Sequence, residues 1–321
     1  MARRRPAYSP AFGGNLTKYS FSSLSTYTQC SLKYYFNYVL NINFEEQTPA
    51  LFLGSLCHEM FEHHYRNDCK TTREEIKNLF LNRFDAGIIL EDVQGSFPKQ
   101  IEYNRDMGLR VIDQFFDNPD VSKVKPLVFK NKDGKEEPAI EMYFRIPMID
   151  LKTGEDFGIE LSGIIDVVDG KGRKIRIKDH KTSSKEYSDF FIETSLQLTM
   201  YAYAIRYLAM EGKLKSKAKK EHNVGYNMFM KPKNQNAAIY IERKIEEEDL
   251  QNMYRTINNV HKGIQNEIFI PANNDACEAF QGCPYMGICG KYQRNEIPFR
   301  DSKLVDRDFL LSLYPGKVTI R

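Results

Sequence analysis

No apolar run in this chain of 321 residues approaches the ~20 that a helix needs to cross a bilayer, so a membrane-spanning helix is not expected. The opening stretch, MARRRPAYSP, is basic but has no apolar segment behind it, which argues against a secretory signal. Residues 1–20 read instead as a flexible basic tail. No G-x-x-x-x-G-K-[ST] loop occurs, so the chain is not itself a helicase motor. There is no internal repeat and no low-complexity stretch. An excess of either sign is also lacking, with 46 basic and 43 acidic residues. A net charge of +3 does not announce a nucleic-acid binder, and the local run KLKSKAKK, Lys213–Lys220, reads as a solvated linker. Cysteines number six. Without a secretory signal they point to a reducing, cytoplasmic setting, where clustered thiols hold metal more often than they form disulfides.

What is present describes a folded protein, 41% apolar and 28% charged. Ser22–Leu40 is rich in aromatics and reads as one amphipathic helix, capped by Ser22 or Ser23. Gly54–Asn67 reads as a second helix, and residues 71–120 as a helical insertion. After Pro119 the texture changes to short runs rich in β-branched and aromatic residues, AIEMYFRIPMI, IELSGIIDVVDG and KIRIKDH, separated by turn signals. Ser188–Met210 returns to helical period. NVGYNMFM and AAIYIERKI are further strands, and Glu246–Ile268 is a helix opening on an acidic turn. Helices, strands, a helix, strands and a helix predict a mixed central sheet with helices on its faces, of α/β or α+β type.

One strand end is chemically odd. In KIRIKDHKTSSK, Ile175 and Ile177 alternate with charged neighbours, as on a half-buried strand, and then Asp179, His180 and Lys181 arrive together. Asp166 sits upstream in an apolar strand, where an isolated carboxylate is costly. The turn DGKGR can fold Asp166 against Asp179. Two carboxylates held together repel, and a hard divalent cation such as Mg²⁺ or Mn²⁺ relieves the repulsion. Lys181, two residues on, leaves the strand on the same face as Asp179. The plainer reading of Asp179 and Lys181 alone is a salt bridge at a hairpin end.

Further residues shift that balance. Gly54-x-x-x-His58-x-x-x-Glu62 in GSLCHEMFE, Asp166 in GIID, Asp179-x-Lys181 in DHK and Gln197-x-x-x-Tyr201 in QLTMY occur in this order. Together they resemble the PD-(D/E)XK nuclease superfamily, in its RecB-like exonuclease branch. The resemblance runs from Ser22 to Tyr292. It implies a restriction-endonuclease-like core in a single domain over residues 21–321. It makes His58, Asp166, Asp179 and the carbonyl of His180 ligands of one or two Mg²⁺ or Mn²⁺ ions. Lys181 would orient or help deprotonate a water, and Gln197 and Tyr201 would support Lys181 or touch the substrate backbone.

Cys277, Cys283 and Cys289 recur at six-residue steps, and a four-thiolate site needs one more ligand. The resemblance supplies Cys30, in a Tyr27-x-x-Cys30 helix, and favours a [4Fe–4S] cluster over Zn²⁺ in the region 271–292. Cys57 and Cys69 read as small buried apolar residues. The expected activity is hydrolysis of DNA at single-stranded ends. CRISPR-associated and phage-encoded relatives suggest 5′ to 3′ polarity, recombination or repair, a bacterial cytoplasm and a helicase partner. The alternative is a catalytically quiet subunit that binds DNA ends. Tyr34, Tyr35, Phe36 and Tyr38 could stack bases, although helix packing accounts for them more simply.

Overall fold

In the computed structural model of the protein, the described residues are 17–44, 49–90, 98–131, 133–171, 174–215, 221–232, 238–272, 277, 282–294, 296 and 318–320. Residues 1–16 of the expected tail and 216–220 of the basic linker lie outside them. The chain opens with β1 (Thr17–Ser20), α1 (Phe21–Gln29), α2 (Ser31–Tyr34), a π-turn (Tyr35–Val39) and β2 (Ile42–Phe44). The helices α3 (Pro49–Arg66), α4 (Arg73–Leu90), α5 (Pro98–Asp117) and α6 (Pro119–Ser122) follow. Then come β3 (Val128–Lys130), β4 (Glu136–Pro138), β5 (Ile140–Ile149), β6 (Asp156–Lys171) and β7 (Lys174–Ser183). The rest is α7 (Asp189–Glu193), α8 (Leu196–Met210), β8 (Glu221–Met230), β9 (Ala238–Lys244), α9 (Glu247–Gln265), α10 (Met286–Gln293) and β10 (Val318–Ile320).

The chain divides into two compact units. One comprises Met1–Glu46, Pro147–Ser162 and Tyr254–Arg321; the other comprises Gln47–Ile146 and Gly163–Met253. In the first, Thr17–Ser20, expected to end the tail, pairs in parallel with Ile159–Ser162 of β6. The expected single helix over Ser22–Leu40 is broken at Cys30, which is extended at φ −159° and ψ 103°. Ser20, not Ser22 or Ser23, caps α1, in a reciprocal capping box with Ser23. Tyr34, Tyr35 and Phe36 are buried with Tyr285 and Ile288. These rings are core, and the base-stacking role considered for them falls.

The second unit holds the mixed central sheet. β6 and β7 pair antiparallel, β7 and β8 parallel, and β8 and β9 antiparallel, with β5 also on β6. The parallel pair requires a crossover, which α7 and α8 provide. Adjacent residues of β7 face opposite sides of the sheet, and their partners show helices on both. The His180 ring packs on Phe61 of α3, while Asp179 meets Gln197 of α8. Leu53, Met60, Phe61, Phe80, Phe115, Val167 and Phe229 build the core under α3–α5.

The half-buried strand expected at residues 174–181 is buried on both faces. Its charges survive because they are paired. Arg176 forks onto Asp169 at 2.7 and 2.5 Å. Lys178 Nζ lies 3.2 Å from Asp169 and donates to the Asp120 carbonyl at 2.6 Å. Each buried cation thus keeps an acid within reach, which burial demands.

Candidate active site

The expected residues, from four elements of the second unit, meet in one place, and an unexpected one from a fifth, β5, joins them. α3 carries His58, β6 Asp166, β7 Asp179 to Lys181, and α8 Gln197 and Tyr201. The last antiparallel rung between β6 and β7 is Val167 with Lys178. Beyond it the His180 N–H is donated to the Asp166 side chain, at 2.5 Å to Oδ2. That bond fixes the carboxylate and turns Oδ1 toward α3. His58 Nδ1 lies 3.4 Å from Asp166 Oδ1 and 3.7 Å from Glu141 Oε1. His58 Nε2 lies 3.0 Å from the His180 carbonyl oxygen.

Glu141 escaped the sequence reading. Its ligand oxygen, one nitrogen of His58 and one oxygen of Asp166 lie within 4.8 Å of one another. The signal was available: an acid between Ile140 and Met142 in an apolar run is as conspicuous as Asp166 in GIID. The local cause of its position was not legible. Glu141 adopts φ +47°, a left-handed backbone that costs a side-chain-bearing residue about 1–2 kcal/mol. Arg66 of α3 donates to the Ile140 carbonyl at 3.1 Å, holding the chain beside this kink.

Asp179 forms the second half of the site. Lys181 Nζ is 2.6 Å from its Oδ2. Its Oδ1 accepts from Gln197 Nε2 at 3.2 Å and the Tyr201 hydroxyl at 3.5 Å. Gln197 also donates to the Tyr201 oxygen at 2.9 Å. The one-turn spacing of Gln197 and Tyr201 brings both side chains to Asp179, a partner not named by the sequence, which had suggested Lys181 or the substrate backbone. Gly163 lets the Phe144 ring of β5 lie close against β6. A Cβ there would stand 2.8 Å from the Phe144 ring and 3.5 Å from Tyr201.

The electrostatics follow from crowding charges under cover. Burial alone would lower the pKa of His58, but the carboxylates of Asp166 and Glu141 outweigh it and hold the imidazole charged, well above its usual range. Burial would raise Asp166, and the charge and hydrogen bond of His58 reverse this and keep it ionised. Asp179 is pushed up to about 6 by burial, with Lys181 opposing and Asp166 adding to the rise. Partial burial of Lys181 favours the neutral amine, but Asp179 and Asp166 outweigh it and keep the side chain an ammonium. Deprotonating His58 would leave the carboxylates of Glu141, Asp166 and Asp179 facing one ammonium. A divalent cation fits that imbalance, and carboxylate and carbonyl oxygens with one imidazole suit Mn²⁺ or Mg²⁺.

Other candidates go elsewhere. The His180 ring lies in the core. Asn227 Nδ2 is 3.0 Å from its Nδ1, and the Tyr65 hydroxyl is 3.1 Å from its Nε2. Burial drives its pKa down to about 3; with both ring nitrogens engaged there, it is the backbone carbonyl that meets His58 in the site. His64 is buried against Thr71 and the Ser122 carbonyl. Tyr203 belongs to the core.

In the first unit, Cys30, Cys277, Cys283 and Cys289 line one cavity of about 280 Å³. The break at Cys30 has a use there: its Sγ accepts from the N–H groups of Lys33 and Ala272 at 3.3 and 3.4 Å. The Cys283 N–H is donated to the Cys277 carbonyl at 2.7 Å. Cys57 is buried, its thiol pushed up to about 12 by burial, and half-buried Cys69 points at the Val124 carbonyl.

No curated protein sequence matches the chain. Among solved structures it is similar to a protein of Eubacterium rectale described as a "Putative exonuclease". The two are 13% identical with a TM-score of 0.48, and 92% of each chain is covered. It is also similar to SSO0001, at 15% identity and a TM-score of 0.29, over 73% of this chain and 93% of that one. The family model of the PD-(D/E)XK nuclease superfamily matches residues 18–290, a span reaching from β1 into α10 and including every residue of the acidic cluster. The chain belongs to the PD-(D/E)XK nuclease superfamily.

Proposed function

We propose that this protein is a divalent-metal-dependent deoxyribonuclease of the RecB-like branch, acting as an exonuclease at single-stranded ends with 5′ to 3′ polarity. The observation that carries the reading is the meeting of His58, Glu141 and Asp166 beside the Asp179–Lys181 pair. His58, Glu141, Asp166, Asp179 and the His180 carbonyl would hold the ion, which supplies charge to polarise a phosphate oxygen and acidify a water. Lys181, held as an ammonium by Asp179 and Asp166, suits binding a phosphate oxygen and stabilising charge as it develops. Gln197 and Tyr201 keep Asp179 in place. In the reaction the water oxygen bonds to phosphorus, the bond from phosphorus to the sugar oxygen breaks, and that oxygen leaves with a proton. Contacts to phosphate carry little sequence information, which suits a nuclease that ignores sequence.

The four thiols about one cavity support a [4Fe–4S] cluster as a staple between the α1–α2 corner and the region 271–292. Action in recombination, repair or phage DNA processing, with a helicase as partner, is the setting this activity suits.

End-labelled single- and double-stranded DNA, incubated with protein purified without air and with Mg²⁺ or Mn²⁺, tests the reading. Wild type should shorten single strands from the 5′ end. Asp179→Asn and Lys181→Ala should each lose at least a hundredfold in rate. Cleavage that persists in both variants would remove this site from the reaction. DNA binding without cleavage by wild type would mark a quiet end-binding subunit.

A further inference from the structure

Between the catalytic strand and α8 the chain displays aromatic surface that its own core does not use. On α7, Phe190 and Phe191 are 73% and 47% exposed, while Ile192 alone of that helix is buried. Tyr187 lies on Phe191, ring centroids 4.4 Å apart. It meets Tyr226 of β8 edge-on, at 5.2 Å and 83°. Tyr226 is buried, and its hydroxyl shares a 2.7 Å hydrogen bond with Ser195. The Tyr187 and Phe191 rings therefore rest on a fixed floor. Lys181 Nζ stands 5.7 Å from the centroid of the same Tyr226 ring. A continuous aromatic path thus runs from the ammonium of the acidic cluster to solvent.

Adjacent exposed phenylalanines are unfavourable in water and mark a contact surface. Their position narrows what is contacted. A phosphate at Lys181 has a sugar and a base attached, and every base offers a flat face to an aromatic ring.

We propose that Tyr187, Phe190 and Phe191 form a stacking platform for unpaired bases of the strand whose phosphate lies at Lys181, and that it selects single strands over duplex. This rests on the nuclease reading above. Bases inside a duplex are covered by their neighbours and cannot reach such a platform without being pulled from the stack.

The probes are a single-stranded oligothymidylate with 2-aminopurine near its end, whose fluorescence is quenched on stacking, and a blunt duplex of equal length. Both are titrated without added divalent metal, and cleavage is assayed separately with Mn²⁺. Wild type should quench the probe and bind the single strand more tightly. Phe190→Ala/Phe191→Ala should abolish most of the quench and weaken single-strand binding about tenfold or more. Its duplex affinity and salt dependence should be unchanged, because no phosphate contact is lost. Phe191→Tyr, which keeps a ring, should retain both the quench and the affinity. A double variant that matches wild type in quench and single-strand affinity overturns the platform, as does one that loses both affinities alike. If it matches wild type on DNA but fails to bind a protein that wild type binds, the surface serves that protein instead. Wild type that cuts DNA while the double variant is unaltered defeats the platform alone. Wild type that stacks the probe but never cuts defeats the nuclease reading alone.

Discussion

His58 and His180 lie on either side of one problem, how to place an imidazole among charges. His58, between two carboxylates, holds its proton; His180, in an apolar core, refuses one. Metal must displace the proton on His58, so affinity should rise with pH, by up to tenfold per unit while the imidazole remains protonated. Manganese titration by calorimetry at pH 6, 7 and 8 measures this, and His58→Gln should flatten the trend. His180 acts on stability. Its pKa is about 3 in the fold and near 6.5 when unfolded. Between these values the unfolded chain binds more protons, so this residue makes stability fall as pH drops from 6.5 toward 3. His58 has the opposite sign, so the His180 share is isolated by comparison. His180→Gln should show a shallower fall in urea midpoint between pH 7 and 5 than wild type. Glu141→Gln should raise the Mn²⁺ concentration for half-maximal cleavage at least tenfold, whereas Glu62→Gln, on an acid paired with Arg66, should not.

At the scale of elements, the site depends on how strands and helices end. Ser195 caps α8 by accepting from the Leu198 N–H and also holds the Tyr226 hydroxyl. Ser195→Ala should cost about 1 kcal/mol in urea denaturation and slow cleavage through looser placement of Gln197. Gly163→Ala should cost about 1–3 kcal/mol by forcing the Phe144 ring aside. Most strands were legible because alternation and turn residues mark them locally. The breaks at Cys30 and Thr194–Ser195 were not, because the aromatic and apolar periodicity continues across them and the cause is remote. Cys30 is set by partners near residue 272, and Ser195 by Tyr226. The burial of Arg176 and Lys178 was misread for the same reason. A charged residue signals water unless its partner is known, and Asp169 becomes that partner only when β6 folds back on β7.

Across the whole molecule, the thiol cavity joins residues 247 positions apart, from Cys30 to Cys277. The [4Fe–4S] cluster proposed there would close this loop and restrict the unfolded chain, with an effect comparable to the ~4–5 kcal/mol of a long disulfide loop. Cys283→Ser, or removal of iron by chelation under mild oxidation, should therefore lower the thermal midpoint by several degrees, measured by calorimetry. An unchanged midpoint would deny the cluster its structural role. The order and spacing of GSLCHEMFE, GIID, DHK and QLTMY were enough to identify the family and to name His58, Asp166, Asp179 and Lys181. These are side-chain types at intervals, and intervals are written in the chain. Tertiary structure alone decided that Glu141 joins them, that Gln197 and Tyr201 meet Asp179, and that Phe190 and Phe191 are open to solvent while Tyr34, Tyr35 and Phe36 are buried. Each of these depends on which faces meet across long separations, and a carboxylate or a ring carries no local mark of the surface it will face.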